Sequence, residues 1–153
     1  MNENKKIRGA TPKEFNNIKF RSILECSCYK KLLESGLKFS YEKEKIILQE
    51  GFNPSIPIYY PNKIKAGTYA KELTLQSNRI RSITYTPDFI IFKDNYKIYI
   101  EVKGNPNDAY PRTRKLFLNY LETLNKNKAS KCMFFEPHTV KQMQQTIDII
   151  NTL

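Results

Sequence analysis

Two neighbouring segments with strand-like sequences constrain the fold of this chain more than any other feature. Residues 79–92 are rich in β-branched and aromatic side chains, and residues 96–102 alternate between apolar and polar positions. Only residues 93–95, with the sequence Lys-Asp-Asn, separate the two segments, and this composition is typical of a turn. The sequence therefore predicts an antiparallel hairpin, whose apolar side chains need at least one covering layer.

Helical patterns on both sides of this hairpin supply such layers. A helix is predicted from Ser22, with Glu25 three residues later and apolar residues at helical spacing, and Ser35-Gly36 ends it. The remaining patterns predict a strand at 37–48, a helix from Pro111, a short strand at 131–136 and a helix from Pro137 onward. The order α-β-β-β-α-β-α predicts an α/β fold with a mixed sheet flanked by helices.

The length of 153 residues suits one domain. Residues 1–19 are basic with few apolar anchors, so we expect a mobile N-terminal arm ahead of a single domain at 20–153. Within that domain, scattered prolines and glycines at about 49–78 predict an irregular insertion or flap, with a short strand as a candidate element inside it.

The charge distribution favours a polyanionic partner. The chain has 26 Lys and Arg against 15 Asp and Glu, a net charge of +11. Residues 84–110 are the exception, with three basic and four acidic side chains. A small acidic patch inside a cationic chain suits a nuclease, which needs carboxylates for a metal ion and basic residues for phosphates.

The acidic window contains a pattern with chemical meaning. Glu101 and Lys103 lie two residues apart, so in a strand they share one face, while the hairpin turn brings Asp88 towards Glu101. Two converging carboxylates form a site for Mg²⁺, and the Val102 carbonyl supplies a further oxygen. The alternative is a solvated strand face, with Glu101 and Lys103 paired to Lys97 or to charges on a neighbouring strand.

Pro87-Asp88 followed by Glu101-Val102-Lys103 resembles the motif of the PD-(D/E)XK nuclease superfamily, which has the restriction-endonuclease-like fold. Within it, three segments resemble, in the same order, those of the phage endonuclease I family of Holliday junction resolving enzymes. The segments are Phe20-Arg21-Ser22-Ile23-Leu24-Glu25, Leu33-Glu34-Ser35-Gly36-Leu37-Lys38-Phe39 and Tyr85-Thr86-Pro87-Asp88-Phe89. TnsA-like transposon-end nucleases and small phage nucleases are similar in the same motifs.

The resemblance implies a set of active-site residues. Asp88, Glu101, the Val102 carbonyl and Glu25 would bind Mg²⁺ or Mn²⁺, and Lys103 would act in catalysis. For Glu25 an alternative from the residues themselves stays open, because Ser22-x-x-Glu25 is also a capping box in which the glutamate bonds the backbone at the helix start. The family also implies a homodimer, since resolving a four-way junction takes two cuts.

Basic residues near the predicted site are candidates for DNA contact. Arg112, Arg114 and Lys115 crowd the start of a helix, where cations are locally unfavourable, and this conflict indicates phosphate binding. An ordinary solvated helix face is the alternative. Weaker candidates for the same role are Arg21 and, in the arm, Lys5, Lys6 and Arg8.

Other features narrow the class of protein. No apolar run approaches the roughly 18 residues of a membrane span. The start of the chain lacks a secretory signal, and three cysteines fit a reducing compartment, so we expect the cytoplasm, of the host cell if the chain comes from a phage. No glycine-rich phosphate loop is present, so we expect no nucleotide cofactor.

The sequence thus predicts a metal-dependent endodeoxyribonuclease that acts on branched DNA. One alternative keeps the chemistry and changes the substrate, as in a nicking or TnsA-like transposon-end nuclease. A second alternative is a basic DNA-binding module without catalytic activity, although retention of Asp88, Glu101 and Lys103 argues against it. No sequence feature separates a junction from a linear duplex as substrate.

Overall fold

The computed structural model describes residues 10–104, 109–127 and 131–153, which form three helices and ten strands. In chain order these are β1 (Lys13–Phe15), β2 (Ile18–Phe20), α1 (Ile23–Ser35), β3 (Phe39–Tyr41), β4 (Ile46–Gln49), β5 (Ile58–Lys65), β6 (Thr68–Gln76), β7 (Ile83–Tyr85), β8 (Phe89–Lys93), β9 (Tyr96–Ile100), α2 (Tyr110–Lys126), β10 (Lys131–Phe135) and α3 (Val140–Asn151). The chain divides into two compact units. The sheet unit contains the residues up to Lys45 and from Tyr85 onward, and the hairpin unit is Ile46–Thr84.

A four-stranded mixed sheet organises the sheet unit. Its strand order is β10-β9-β8-β3, in which β10 runs parallel to β9 and the other two pairings are antiparallel. The predicted hairpin is confirmed as β8 and β9, joined by a turn in which Asp94 has a φ of 50°. The predicted mixed α/β class is therefore confirmed.

The sheet is buried because helices cover it. Side chains of α1 and α3 form one apolar cluster with alternate residues of β8 and β9: Cys28, Leu32, Phe89, Ile91, Ile98, Ile100, Val102, Met143, Ile147 and Ile150. Intervening side chains meet α2, where the Tyr99 and Phe117 rings pack edge to face at 5.3 Å. Each fully buried apolar side chain contributes about 1.5–3 kcal/mol, so β8 and β9 are firmly held.

Helix α1 begins and ends where the sequence predicts. The Ser22 hydroxyl accepts a hydrogen bond from the Glu25 N–H at 3.1 Å, which satisfies a free donor of the first turn. Gly36 ends the helix with a φ of 70°, a left-handed conformation that glycine adopts without steric cost. These caps fix the position of the first helical turn.

The hairpin unit is more regular than predicted for the insertion. Strands β5 and β6 form a long antiparallel hairpin, and β4 pairs with β7. Gly51 lets two backbone segments of this unit come close together, because a Cβ atom at Gly51 would lie 2.7 Å from the Ile80 carbonyl oxygen. The sequence signals were weak because Pro61 and several lysines interrupt the apolar pattern.

Part of the predicted N-terminal arm forms strands in the structure. Residues 13–20 form the β1–β2 hairpin, and Phe20 is buried with its ring 5.0 Å from that of Tyr29 in α1. This aromatic contact anchors the segment that was expected to be mobile. Lys5, Lys6 and Arg8 lie outside the described residues.

Two predicted strands are each divided. Residues 37–48 form β3 and β4, which belong to different sheets, and residues 79–92 form β7 and β8. Pro87 lies in the second break, where it interrupts the backbone hydrogen bonds of a continuous strand. Among the described helices, none has the length and apolar character needed to cross a membrane.

Candidate active site

Three carboxylates lie at neighbouring strand ends of the sheet unit. Glu42 follows β3, Asp88 precedes β8 and Glu101 follows β9. Both pairings of β8 are antiparallel, so their registers place Asp88 beside the other two residues. Hydrogen bonds extend the pairing, from the Glu42 N–H to the Asp88 carbonyl at 2.9 Å and from the Val102 N–H to Asp88 Oδ2 at 2.7 Å.

Asp88, Glu101 and the α1 residue Glu25 are buried, which is unusual for ionisable groups, whereas Glu42 is exposed. Asp88 is 2% exposed, and Glu25 and Glu101 are each 3% exposed. Burial, followed by the charges of Glu101 and Glu25, raises the pKa of Asp88 well above its ordinary value, against the opposing effects of Arg21 and the Val102 N–H. A site that concentrates negative charge in this way needs cations.

Arg21 is one such cation. Its Nη2 atom lies 2.7 Å from Asp88 Oδ1, 2.6 Å from Glu42 Oε1 and 3.5 Å from Glu25 Oε1. Oxygens of these three acids all lie within 4.8 Å of one another. Burial alone would lower the pKa of Arg21, but the three carboxylates, Asp88 first, outweigh burial and raise it.

Glu25 contacts both the start of α1 and the site. The Glu25 N–H donates to the Ser22 hydroxyl, as in a capping box. Its side-chain atom Oε2 accepts a hydrogen bond from the Arg21 N–H at 3.0 Å. Its other oxygen accepts the Tyr41 hydroxyl at 2.9 Å. Burial and then Glu25 raise the pKa of Tyr41, so this hydroxyl stays a donor. The carboxylate thus belongs both to the helix start and to the acidic group.

Glu101 has its own cation. Lys103 Nζ lies 2.6 Å from Glu101 Oε1, and the Tyr85 hydroxyl donates to Glu101 Oε2 at 2.6 Å. Burial, then Glu101, raises the pKa of Tyr85. The ammonium of Lys103 also lies 4.1 Å from the centre of the Tyr110 ring. These contacts fix both ends of the Glu101–Lys103 pair.

The alternative of a solvated strand face does not describe Glu101. This residue is buried, and Lys97, its proposed partner on the open face, instead lies 2.7 Å from Glu44. The predicted alternation of residues 96–102 is confirmed on the apolar side, since Ile98, Ile100 and Val102 all join the apolar cluster.

Val102 orients its main chain towards Asp88. The N–H groups of Glu101 and Lys103 donate to the carbonyls of Phe135 and Pro137, on the side of β10. The Val102 N–H points to the opposite edge, where it meets Asp88. In an extended segment the N–H and C=O of one residue face the same edge, so the Val102 carbonyl also lies on the Asp88 side.

A further polar group follows β10. The Glu136 Oε2 atom accepts from the Tyr110 hydroxyl at 2.6 Å and from Arg114 Nε at 2.7 Å, and Glu136 Oε1 lies 3.2 Å from His138 Nε2. Burial raises the pKa of Glu136, but these three contacts outweigh burial and lower it overall. The sequence analysis did not identify Glu136.

The predicted DNA-binding residues have different surroundings. Arg112 and Lys115 are exposed in the first turns of α2, which contain no acidic residue. Arg114 is engaged by Glu136, and Arg21 lies within the acidic group. Arg112 and Lys115 are therefore more accessible to a ligand in solution than Arg114, which is held in an ion pair.

The donor set fits a hard divalent cation. Every candidate side-chain ligand is a carboxylate oxygen, the ligand type that Mg²⁺ and Mn²⁺ prefer. The acids Glu25, Glu42, Asp88 and Glu101 outnumber the adjacent cations, Arg21 and Lys103. The residues present therefore fit such an ion.

Glu42 is the member of the close acidic group that the sequence analysis missed. It lies directly after β3 with a φ of 45°, and its backbone pairs with Asp88, 46 positions later in the chain. The available signal was a carboxylate next to the alternating residues Phe39 and Tyr41. That signal was hidden because the predicted strand continued to Leu48.

Comparison of the chain with protein-family models, with curated proteins and with solved structures gives no match. A functional assignment therefore depends on the motifs and on the geometry of these side chains.

Proposed function

We propose that this protein is a metal-dependent endodeoxyribonuclease of the PD-(D/E)XK type that hydrolyses DNA phosphodiester bonds. The observation that carries the proposal is the placement of Asp88, bonded to the Val102 N–H, beside the Glu101–Lys103 ion pair at the end of one buried hairpin. Glu25 reaches Asp88 from α1, and the close group of oxygens that these two acids form includes Glu42 but not Glu101. Two acids, a lysine beside one of them and a helical glutamate match the residue types that the motif requires.

The arrangement of elements supports a restriction-endonuclease-like core. In the sheet unit α1, β3, β8, β9, α2, β10 and α3 follow one another in the order expected for it. The antiparallel strands β3, β8 and β9 are joined on one side by the parallel strand β10. The active-site residues in this proposal come from α1 and from the ends of β8 and β9.

The proposed chemistry assigns a task to each residue. Asp88, Glu101, the Val102 carbonyl and Glu25 would hold Mg²⁺ or Mn²⁺, with Glu42 as a further carboxylate ligand beside Asp88. Such an ion polarises a nonbridging phosphate oxygen and lowers the pKa of a bound water.

Lys103 would offset the negative charge that develops on the phosphoryl group and orient the attacking water. Its contacts with Glu101 and the Tyr110 ring hold its ammonium in place before substrate binds. In-line attack would leave a 5′ phosphate and a 3′ hydroxyl.

The substrate proposed is branched DNA, cut by a homodimer, as the resemblance to the endonuclease I family implies. The net charge of +11 and the exposed Arg112 and Lys115 support binding of a polyanion. A nicking or TnsA-like transposon-end nuclease would use the same residues and differ in substrate alone.

One observation favours a different class of function, a DNA-binding module without catalysis. Arg21 already forms short ion pairs with Asp88 and Glu42. An acidic group that is held by an internal cation in this way can be purely structural. Catalytic activity therefore has to be measured directly.

The experiment compares a four-way junction with a linear duplex built from the same arms, in Mg²⁺ or in EDTA. We expect the wild type to cut the junction in Mg²⁺, and Asp88→Asn to reduce the rate by about 10²–10³-fold or more. The matched control is Asp148→Asn, which changes an exposed aspartate of α3 and should cut normally.

Each contrary outcome removes a defined part of the proposal. Cutting that persists in EDTA or in Asp88→Asn would exclude the metal mechanism. Equal cutting of both substrates would exclude junction specificity, and binding without any cutting would favour the non-catalytic module.

A further inference from the structure

Arg21 contacts its acidic neighbours in an unusual manner for an arginine. A single nitrogen, Nη2, is shared by Asp88, Glu42 and Glu25, whereas arginine commonly pairs with one carboxylate through two parallel hydrogen bonds. That nitrogen carries only two hydrogens, so the third contact, the one to Glu25 at 3.5 Å, is mainly electrostatic. The guanidinium thus acts as a point charge between three acids.

The oxygens that hold Arg21 are those best suited to a divalent cation. Asp88 Oδ1, Glu42 Oε1 and Glu25 Oε1 bind one nitrogen, and the same three residues form the close acidic group. Mg²⁺ approaches its oxygen ligands to about 2.1 Å. A guanidinium and a divalent ion on the same oxygens would repel each other at very short range, so occupancy by one excludes the other.

The side chain of Arg21 can leave the group more readily than that of Asp88. Its side chain is 46% exposed, while that of Asp88 is 2% exposed. The main chain of Arg21 is anchored independently, because its N–H donates to Glu25 Oε2. The guanidinium can therefore swing into solvent without disturbing the start of α1, and in the proposed complex that solvent side is where DNA arrives.

We propose that Arg21 and a divalent cation compete for Asp88 and Glu42, and that the displaced guanidinium binds a DNA phosphate. This inference rests on the proposed nuclease function. It makes Arg21 a positioning residue that couples two binding events. Metal binding frees the guanidinium for phosphate, and phosphate binding by Arg21 frees the carboxylates for metal, so by linkage each ligand strengthens the other.

The first test measures Mn²⁺ binding calorimetrically in the absence of DNA. If Arg21 competes with the ion, Arg21→Gln should bind Mn²⁺ at least tenfold more tightly than the wild type. The matched control is Arg81→Gln, which removes the same charge from an exposed position of the hairpin unit and should bind as the wild type does. Equal or weaker binding by Arg21→Gln would overturn the competition.

The outcomes separate this inference from the nuclease proposal. If neither the wild type nor Arg21→Gln binds Mn²⁺, the metal site itself is excluded. If the wild type binds Mn²⁺ and cuts DNA but Arg21→Gln binds no more tightly, only the role of Arg21 fails.

A second measurement uses the wild type and avoids any folding defect of the variant. With ¹⁵N-labelled arginine, saturating Mg²⁺ should shift the side-chain Nε resonance of Arg21 by NMR. Arg79, whose guanidinium donates to the Gly51 carbonyl at 3.0 Å, is the internal reference and should not shift. An unchanged Arg21 resonance at Mg²⁺ saturation would overturn the displacement.

The phosphate half of the proposal is tested by DNA binding in a Lys103→Ala background, in which cutting is suppressed. Fluorescence anisotropy should show that Mg²⁺ increases junction affinity at least threefold more when Arg21 is present than in Arg21→Gln/Lys103→Ala. An identical increase in both proteins would mean that the displaced guanidinium does not reach a phosphate.

Discussion

The chain contains two antiparallel hairpins that differ in what covers them. In β8–β9 the residues Ile91, Ile98 and Tyr99 are almost completely buried. In β5–β6 the side chains of Leu73 and Leu75 are more than 60% exposed. Strand-forming residues therefore produce a hairpin in both places, but only the covered one can hold charged side chains at fixed positions. A two-stranded hairpin alone is at best marginally stable in water.

The largest expected contrast between the two hairpins is in folding stability. Ile98→Ala should lower the free energy of unfolding by about 2–5 kcal/mol, because it leaves a cavity between β9 and the helices. Leu75→Ala in β6 should change it by less than about 0.5 kcal/mol. Urea unfolding followed by circular dichroism measures both. A large loss for Leu75→Ala would show that the exposed face of β6 is covered in solution.

A smaller contrast concerns two tyrosines. Tyr85→Phe removes the 2.6 Å hydrogen bond to the buried Glu101, and we expect a loss of about 1.5–3 kcal/mol, the range for hydrogen bonds to charged groups. Tyr69→Phe removes an exposed hydroxyl from β6 and should be neutral. Thermal unfolding of the two variants provides the comparison. Equal midpoints would mean that the bond to Glu101 contributes nothing net.

A third contrast depends on pH. The folded protein lowers the pKa of Glu136 below 4.5, so its ion contacts stabilise the fold above that pH, and this contribution is lost as pH falls through the folded pKa. Glu136→Gln should cost about 1 kcal/mol at pH 7, and the difference from the wild type should shrink below about pH 4.5.

The control for this pH series is Glu72→Gln, which changes an exposed side chain of β6. Its difference from the wild type should stay small across the whole range. A Glu136→Gln difference that persists unchanged at pH 3 would contradict the assignment.

The smallest effect concerns the salt dependence of DNA binding, under the proposed function. Replacing Arg112 and Lys115 by alanine should reduce the slope of log affinity against log salt by about 0.9 for each lost phosphate contact. Replacing Lys63 and Lys71 in the β5–β6 hairpin should leave the slope unchanged. The reverse result would move the DNA-binding surface to the hairpin unit and return α2 to an ordinary solvated face.

Local patterns sufficed to predict the helix from Ser22 and the hairpin of β8 and β9. The cap and the turn that create these features span only a few residues. Long-range partners were not predictable in the same way. Glu42 joins the site only because β3 pairs with β8, and no residue near Glu42 in sequence encodes that pairing.

The insertion was misjudged for a related reason. Residues 49–78 were predicted to be irregular because prolines and glycines are scattered through them, and proline is rare within strands. A stronger clue was Gly67, which adopts a φ of 73° in the two-residue turn between Lys65 and Thr68. Likewise Arg21 was assigned to DNA on charge alone, since sequence gives no measure of the buried acids around it.

The backbone hydrogen bond between Glu42 and Asp88 has a consequence for how such a chain can evolve. The polypeptide leaves the sheet unit after Lys45 and returns at Tyr85, and residues on either side of this excursion are bonded to each other. The entropy of closing such a loop grows only slowly with its length. Insertions, deletions or replacement of the hairpin unit are therefore compatible with an unchanged alignment of the three strand ends that carry the acids.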